Sequence, residues 1–153
     1  MKNYKFIEGV LQELARQHSL TNVKKEKGHL KAMLNKCIRI VDDSYQIDKA
    51  SKKAKQIADD MNIDLTKMSW ANQPRFDKGR KVFVFEHKTP INIMAQRMID
   101  NPSDVLNILN DMEIVWITRE EDAMLNSLGY RKNRDDHDKA YVEAGIEIVS
   151  LTR

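Results

Sequence analysis

Two short apolar runs that are rich in β-branched and aromatic residues place the strongest constraint on the fold of this 153-residue chain. They are Lys81–Glu86 and Glu113–Thr118, and apolar residues at helical spacing separate them. A third strand is expected at Ile146–Val149, after a helix that opens at the capping box Thr118–Glu121 and stops at Gly129. Strands that alternate with helices favour a mixed or partly parallel sheet covered by helices.

The first part of the chain has a different pattern. Residues 3–60 contain no proline, and their apolar positions predict three helices, the last from Asp48 to Met61. Residues 62–80 are predicted as loop, with one short strand near Trp70 or Phe76. We therefore expect an α/β (α+β) fold, a small mixed sheet flanked by helices, with an N-terminal helical layer. The helical layer is predicted at residues 1–61 and the α/β core at 62–153, within one compact domain.

The charge of the chain is distributed unevenly along the sequence. Residues 1–88 hold 19 Lys and Arg against 11 Asp and Glu, whereas residues 89–153 hold 7 against 12. This asymmetry indicates either a polyanion-binding face or two solvated helical surfaces of opposite bias. No window approaches a membrane span, the N-terminus does not resemble a signal peptide, and the lone Cys37 excludes an internal disulfide, so we expect a cytoplasmic protein.

The strand at Lys81–Glu86 runs directly into three ionisable residues, Glu86, His87 and Lys88, before Thr89 and Pro90 predict the start of a helix. Either the strand emerges into water there, or the three groups are presented at a sheet edge for chemistry. Glu86 and Lys88 share one side of the strand. A hairpin from a strand at residues 75–77 would bring Asp77 beside Glu86. Two carboxylates can then hold Mg²⁺, and a lysine can stabilise charge on a phosphate.

This arrangement resembles the PD-(D/E)xK nuclease superfamily over residues 77–88. Asp77 matches the first acid, Glu86 the second acid and Lys88 the lysine, whereas Pro74 stands three residues before Asp77 rather than directly before it. The resemblance implies a metal-dependent nuclease with Asp77, Glu86 and Lys88 as catalytic residues, Asp77 and Glu86 as metal ligands, and Mg²⁺ as cofactor. The expected partner is nucleic acid, DNA more than RNA.

Three basic stretches are candidates for contacts with phosphates. Lys52 and Lys53 lie on the predicted third helix, Lys78 and Arg80 lie in a turn, and Arg131 and Arg134 lie in the polar loop at residues 131–138. The alternative for the helix is a solvated surface. For the loop, the alternative is a set of internal ion pairs.

Other functions and residues stay open at this stage. His87 is either a satisfied histidine or part of an acid–base or metal set with His137, although no zinc spacing is present. A non-catalytic nucleic-acid-binding or regulatory protein is the first alternative to a nuclease. A protein–protein adaptor that uses Met94, Met98 and Met112 is the second. We expect no membrane partner, and we also consider a homodimer.

Overall fold

A computed structural model describes residues 4–151 of the chain. The structure is mixed α+β, with eight described α-helices and an open four-stranded mixed sheet, so the predicted fold class is confirmed. The chain divides into two compact units, residues 4–44 with 89–112 and residues 45–88 with 113–151. This division differs from the expected boundary at residue 61, because residues 45–61 contribute a strand to the sheet and residues 89–112 belong to the helical unit.

Eight α-helices and four strands make up the regular structure of residues 4–151. The helices are α1 (Lys5–Leu20), α2 (Lys24–Ile40), α3 (Lys52–Asp60), α4 (Gln73–Phe76), α5 (Ile91–Asp100), α6 (Val105–Asn110), α7 (Arg119–Ser127) and α8 (His137–Glu143). The strands are β1 (Lys49–Ser51), β2 (Phe83–His87), β3 (Ile114–Thr118) and β4 (Ile148–Ser150). Short 3₁₀ helices occupy Val41–Ser44, Leu65–Lys67 and Pro102–Asp104. No helix within residues 4–151 is both long and apolar enough to cross a membrane.

The first unit is helical and contains α1, α2, α5 and α6. α1 packs against α2, and both pack against α5. Each of the three buries one stripe of side chains at helical spacing, which includes Leu11 on α1, Leu34 and Ile38 on α2, and Met94 and Met98 on α5. Burial of each large apolar side chain contributes roughly 1.5–3 kcal/mol.

The methionines of the adaptor hypothesis are not a surface feature. Met94, Met98 and Met112 are at most 2% exposed. The adaptor interface predicted from them is therefore wrong, because apolar positions at helical spacing here face the interior.

The second unit contains the sheet, in the strand order β2-β3-β1-β4. β2 and β3 are antiparallel in a register that pairs Phe83 with Thr118 and Glu86 with Val115, whereas β1 is parallel to β3 and antiparallel to β4. β2 is therefore an edge strand. On one face of the sheet, Val115 and Ile117 pack with Leu125, Ala140, Tyr141 and Ile146, which belong to α7, α8 and the segment that follows.

The predicted third helix begins later than expected. Lys49–Ser51 forms the central strand β1, and α3 starts only at Lys52. The Ser51 hydroxyl caps this helix by accepting a hydrogen bond from the N–H of Ala54 at 2.9 Å. Pairing of β1 on both sides overrides the helical pattern that extends back to Asp48.

The predicted strand near Trp70 or Phe76 is also wrong. Gln73–Phe76 is a short helix with Pro74 in its first turn. The N–H groups of a first turn have no partner within the helix, so a proline there costs no hydrogen bond. Consequently no strand at residues 75–77 pairs with β2, and the hairpin expected to bring Asp77 beside Glu86 does not form. The helix predicted from Thr89 and Pro90 is present, but Pro90 occupies the N-cap position and the helix begins at Ile91.

Candidate functional site

Asp77 lies at the C-terminal end of α4 and is buried. Its carboxylate accepts hydrogen bonds from the N–H groups of Lys81 at 2.9 Å, Val82 at 3.1 Å and Phe83 at 2.9 Å. It also accepts one from Gln73 Nε2 at 3.1 Å. These four donors hold the turn between α4 and β2, so the carboxylate acts within the protein as a backbone anchor.

Glu86 lies near the other end of β2, three residues beyond Phe83 and thus ~10 Å further along the strand. Arg134 Nη1 donates to Glu86 Oε1 at 2.6 Å, and also to the carbonyl oxygens of His87 at 3.3 Å and Lys88 at 3.0 Å. Burial raises the pKa of the Glu86 carboxyl, and the ion pair with Arg134 opposes this shift only in part. The structure therefore does not bring the two predicted metal ligands together.

Lys88 lies at the same end of β2 as Glu86, within a chain of opposite charges. Its Nζ is 3.5 Å from Glu113 Oε1 and 3.5 Å from Asp138 Oδ1. Glu113 also accepts a hydrogen bond from Lys49 at 2.8 Å, and this bond is the main cause that holds the pKa of Glu113 below its usual value. Within residues 4–151, no three His, Cys, Asp or Glu side chains are grouped to hold a metal ion.

The two candidate histidines occupy different settings. His87 is buried on the face of β2 opposite to Glu86, and its ring meets that of Phe85 edge-on at 5.8 Å. His137 is the first residue of α8, and its Nε2 lies 3.5 Å from Asp138 Oδ1. Asp138 also approaches Lys88, so of the two histidines it is His137 that belongs to the charged cluster at the end of β2.

The candidate basic residues differ in whether carboxylates already neutralise them. On α3, Lys52 Nζ lies 3.3 Å from Glu147, and Lys53 forms an ion pair with Glu120. Hydrogen bonding to Glu120 raises the pKa of Lys53. Both ion pairs lie at the surface, where such pairs are weak, so the carboxylates offset the charge of these lysines only in part.

The loop at residues 131–138 divides in the same way. Arg134 is 4% exposed and is committed to Glu86, whereas Arg131 is exposed. The predicted alternative of internal ion pairs therefore describes Arg134. Of this pair, the side chain accessible to an external phosphate is that of Arg131.

Arg80 occupies the turn after Asp77 and is held against Trp70. Its guanidinium carbon lies 4.2 Å from the centre of the indole ring, a cation–π geometry. Arg80 Nη2 donates to the Trp70 carbonyl oxygen at 2.8 Å and Nη1 donates to Gln73 Oε1 at 3.3 Å. Gln73 Nε2 in turn donates to Asp77 and to the carbonyl oxygen of Phe83. A continuous network thus links the Asp77 anchor to the Trp70 ring.

Arg119, the first residue of α7, fixes the backbone of the same turn. Its Nε and Nη2 donate to the Arg80 carbonyl oxygen at 2.9 and 2.7 Å. Arg80 has φ of 53°, in the left-handed region that a non-glycine residue enters at a cost of ~1 kcal/mol or more. Such a conformation persists where surrounding contacts impose it, as Arg119 and the Arg80 side-chain bonds do here.

We call the resulting patch the turn surface and define it by five residues. They are Trp70, Lys78, Arg80, Lys81 and Arg119. Lys78, Lys81 and Arg119 are exposed, and Trp70 is 48% exposed. No carboxylate of the described residues lies within 4.0 Å of the charged atoms of the four cations in this patch, Lys78, Arg80, Lys81 and Arg119. The patch therefore carries positive charge that no described carboxylate pairs with.

A cavity of about 410 Å³ lies beside the turn surface. Trp70, Arg80 and Arg119 form one part of its wall, and Val84 and Phe85 of the edge strand form another. None of its lining residues is acidic, whereas three other cavities in the described part of the chain each include at least two carboxylates. The cavity thus combines apolar walls with a cationic rim.

Sequence reasoning identified two members of the turn surface, Lys78 and Arg80, and missed the other three. The sequence predicts Lys81 as part of the strand itself and Arg119 as the start of a helix 38 positions further along the chain. Trp70 lies in the stretch predicted as loop with one short strand, and a single exposed apolar side chain is not by itself a signal of a binding site.

The comparisons with known proteins identify no relative of this chain. No family model matches it, and neither the curated proteins nor the solved structures include a significant match.

Proposed function

We propose that the protein binds nucleic acid through the turn surface. The observation that carries this proposal is that four cations without a carboxylate partner among the described residues, Lys78, Arg80, Lys81 and Arg119, meet at one turn, and that Arg80 lies against a half-exposed tryptophan. Cations of this kind contact phosphates and release counterions, and aromatic side chains offer faces for bases. This function is the non-catalytic alternative to a nuclease, and it places the contact at the turn rather than on the lysine-rich helix.

The test is the affinity of a fluorescently labelled oligonucleotide, measured by anisotropy over a series of salt concentrations. Lys78→Glu with Lys81→Glu should lower affinity at low salt and reduce the salt slope by about 0.7–0.9 per lysine. Lys52→Glu with Lys53→Glu is the matched control, because it changes the net charge by the same amount. We expect the control to have a much smaller effect, since Glu147 and Glu120 already partner these lysines.

Equal losses from the two double variants would show that only net charge matters and would remove the turn surface as the site. Absence of measurable binding by the unchanged protein at low salt would reject nucleic acid as the partner. Circular dichroism of each variant verifies that the fold is retained.

Metal-dependent hydrolysis at the end of β2 is a second proposal, distinct from binding at the turn. The observation in its favour is that two carboxylates, of Glu113 and Asp138, each lie 3.5 Å from Lys88 Nζ, while these two and Glu86 do not form a group of three that could hold a metal ion. Carboxylate oxygens are the ligands that Mg²⁺ prefers, and the ammonium group can stabilise charge on a phosphate.

This second proposal requires cleavage of plasmid or oligonucleotide that depends on added Mg²⁺ and stops with a chelator. Glu86→Gln should then abolish cleavage and leave binding intact. If this variant cuts at the wild-type rate, Glu86 is not a catalytic residue.

A further inference from the structure

We infer that the cavity beside Trp70 receives an unpaired nucleobase, so that the turn surface prefers single-stranded to double-stranded nucleic acid. This inference rests on the proposed function and specifies its substrate class. It draws on three features, the stack of Trp70 on Arg80, the open edge of β2 at Phe85, and the composition of the cavity wall.

The stack of Trp70 and Arg80 is formed by contacts within the protein itself. Two hydrogen bonds fix the guanidinium, to the Trp70 carbonyl oxygen and to Gln73 Oε1, while 48% of Trp70 stays exposed. Because the ring and the guanidinium are already ordered, a base that stacks on them loses less free energy to side-chain ordering. Stacking on aromatic and arginine faces tolerates any base, which suits recognition of single strands.

The edge of β2 contributes a backbone donor and acceptor at Phe85, a residue that lines the same cavity. In an antiparallel pair, successive residues alternate between bonding to the partner strand and pointing their backbone groups away from it. The Arg119 N–H donates to the Val82 carbonyl oxygen, so Val82 and Val84 are the residues that bond across to β3. Phe83 and Phe85 therefore point their backbone groups outward. The backbone N–H of Phe83 donates to the Asp77 carboxylate, and the Phe83 carbonyl oxygen accepts from Gln73 Nε2. No described residue is hydrogen-bonded to the backbone groups of Phe85, which lines the cavity.

The short length of this open edge argues against an added peptide strand as the occupant. Strand addition needs several consecutive outward-pointing backbone groups. Before Phe85 in the strand, the backbone groups of Phe83 are already hydrogen-bonded within the protein. After it, the carbonyl oxygen of His87 already accepts a hydrogen bond from Arg134. One residue with a free donor and acceptor matches the hydrogen-bonding edge of a single base.

The shape and charge of the cavity distinguish a single strand from a duplex. A volume of about 410 Å³ falls in the range of ~300–1,000 Å³ typical of ligand pockets. Bases in a duplex are stacked and paired, so a duplex would present only phosphates to Lys78, Lys81 and Arg119. An unpaired base can enter beside Trp70 while its own phosphates contact the cationic rim.

The experiment compares a labelled single-stranded oligothymidylate with the duplex that it forms with oligoadenylate, using wild type, Trp70→Ala and Trp70→Phe. We expect tighter binding of the single strand by wild type. Trp70→Ala should weaken single-strand binding by roughly 5- to 150-fold, the range for loss of one stacked base. It should leave duplex binding and the salt slope nearly unchanged, and Trp70→Phe should restore most of the single-strand affinity.

Tryptophan fluorescence supplies an independent readout. Trp70 is half exposed and Trp116 is fully buried, so the single strand should quench wild-type emission and leave that of Trp70→Phe almost unaltered. Equal affinity for strand and duplex, or no loss in Trp70→Ala, overturns the inference and leaves the proposed function standing. Binding of neither nucleic acid, or binding of heparin as tight as that of the oligothymidylate, removes the proposed function as well.

Discussion

At the scale of single residues, three backbone N–H groups at the start of β2 depend on the carboxylate of Asp77. Asp77→Ala would leave these donors without their acceptor, and a buried donor without a partner costs ~1–3 kcal/mol. We expect the free energy of unfolding, measured by urea denaturation, to fall by about 2–4 kcal/mol.

Asp64→Ala is the control for this prediction, because Asp64 caps a short 3₁₀ helix at the exposed surface through the N–H of Thr66. Its loss should cost about 1 kcal/mol or less. If Asp77→Ala were as stable as wild type but failed to cleave nucleic acid, the anchoring role would be wrong and the catalytic prediction for Asp77 would gain support.

Glu86 gives a residue-scale prediction about pH. Burial raises the pKa of its carboxyl in the folded protein, so folding favours the protonated form. The stability contributed by this proton is present below the unfolded pKa of ~4.3 and is lost as pH rises through the folded pKa, by up to about 1.4 kcal/mol per pH unit. The unfolding free energy of wild type minus that of Glu86→Gln should therefore decrease as pH rises from 4, because only wild type loses this contribution. A difference that increases with pH would show that the ion pair with Arg134 dominates over burial.

At the scale of elements, the caps of α3 and α7 are joined. The Ser51 hydroxyl accepts from the Ala54 N–H and donates to Glu121 Oε2 at 2.6 Å, and Glu121 completes the capping box with Thr118. Because one buried bond links the two helix starts, their stabilities should be coupled.

A double-mutant cycle with Ser51→Ala and Glu121→Ala tests this coupling. Each single change should cost about 1–2 kcal/mol, and the double variant should lose about 1 kcal/mol less than their sum. Ser51→Ala combined with Asp136→Ala, which removes the separate cap of α8, is the matched control and should be additive. Additivity in both pairs would mean that the Ser51–Glu121 bond contributes nothing measurable.

The elements that the sequence predicts well carry local signals. The capping box at Thr118 and the stop at Gly129, where φ is 85°, are confirmed because both depend on side chains or backbone freedom within one turn. β1 was missed, because three residues cannot show alternation and their strand conformation comes from pairing with distant β3 and β4. The position of Asp77 was missed for a related reason, since α4 replaces the strand on which the predicted hairpin depended.

The candidate site is less predictable than the fold because its parts meet only in three dimensions. Lys78 and Arg80 are readable as a basic turn, but Arg119 reaches that turn from 39 positions away. Sequence alone also does not show which cations are neutralised. The ion pairs of Lys52 and Lys53 come from residues on other elements, so the lysine-rich helix appears more available than it is.

At the scale of the whole molecule, the charge asymmetry between the two halves of the sequence does not survive folding. The chain passes between the two units three times, at residues 44–45, 88–89 and 112–113. Within residues 4–151, the helical unit consequently holds 9 Lys and Arg against 8 Asp and Glu, and the sheet unit holds 15 against 15. Neither unit has a strong net charge, so attraction of a polyanion has to come from a local patch.

This balance predicts a shallow dependence of nucleic-acid binding on salt. If at most the four cations of the turn surface contact phosphates, the slope of log affinity against log salt for a single strand should be no steeper than about −3. Anisotropy titrations of the unchanged protein from low to physiological salt measure this slope directly. A slope steeper than about −5 would require cations outside the turn surface, for which the exposed lysines at the start of α2 would be the next to test. Because each unit is nearly neutral, we expect the number of phosphates contacted to equal the number of cations in one patch. The charge of a whole face should not set this number.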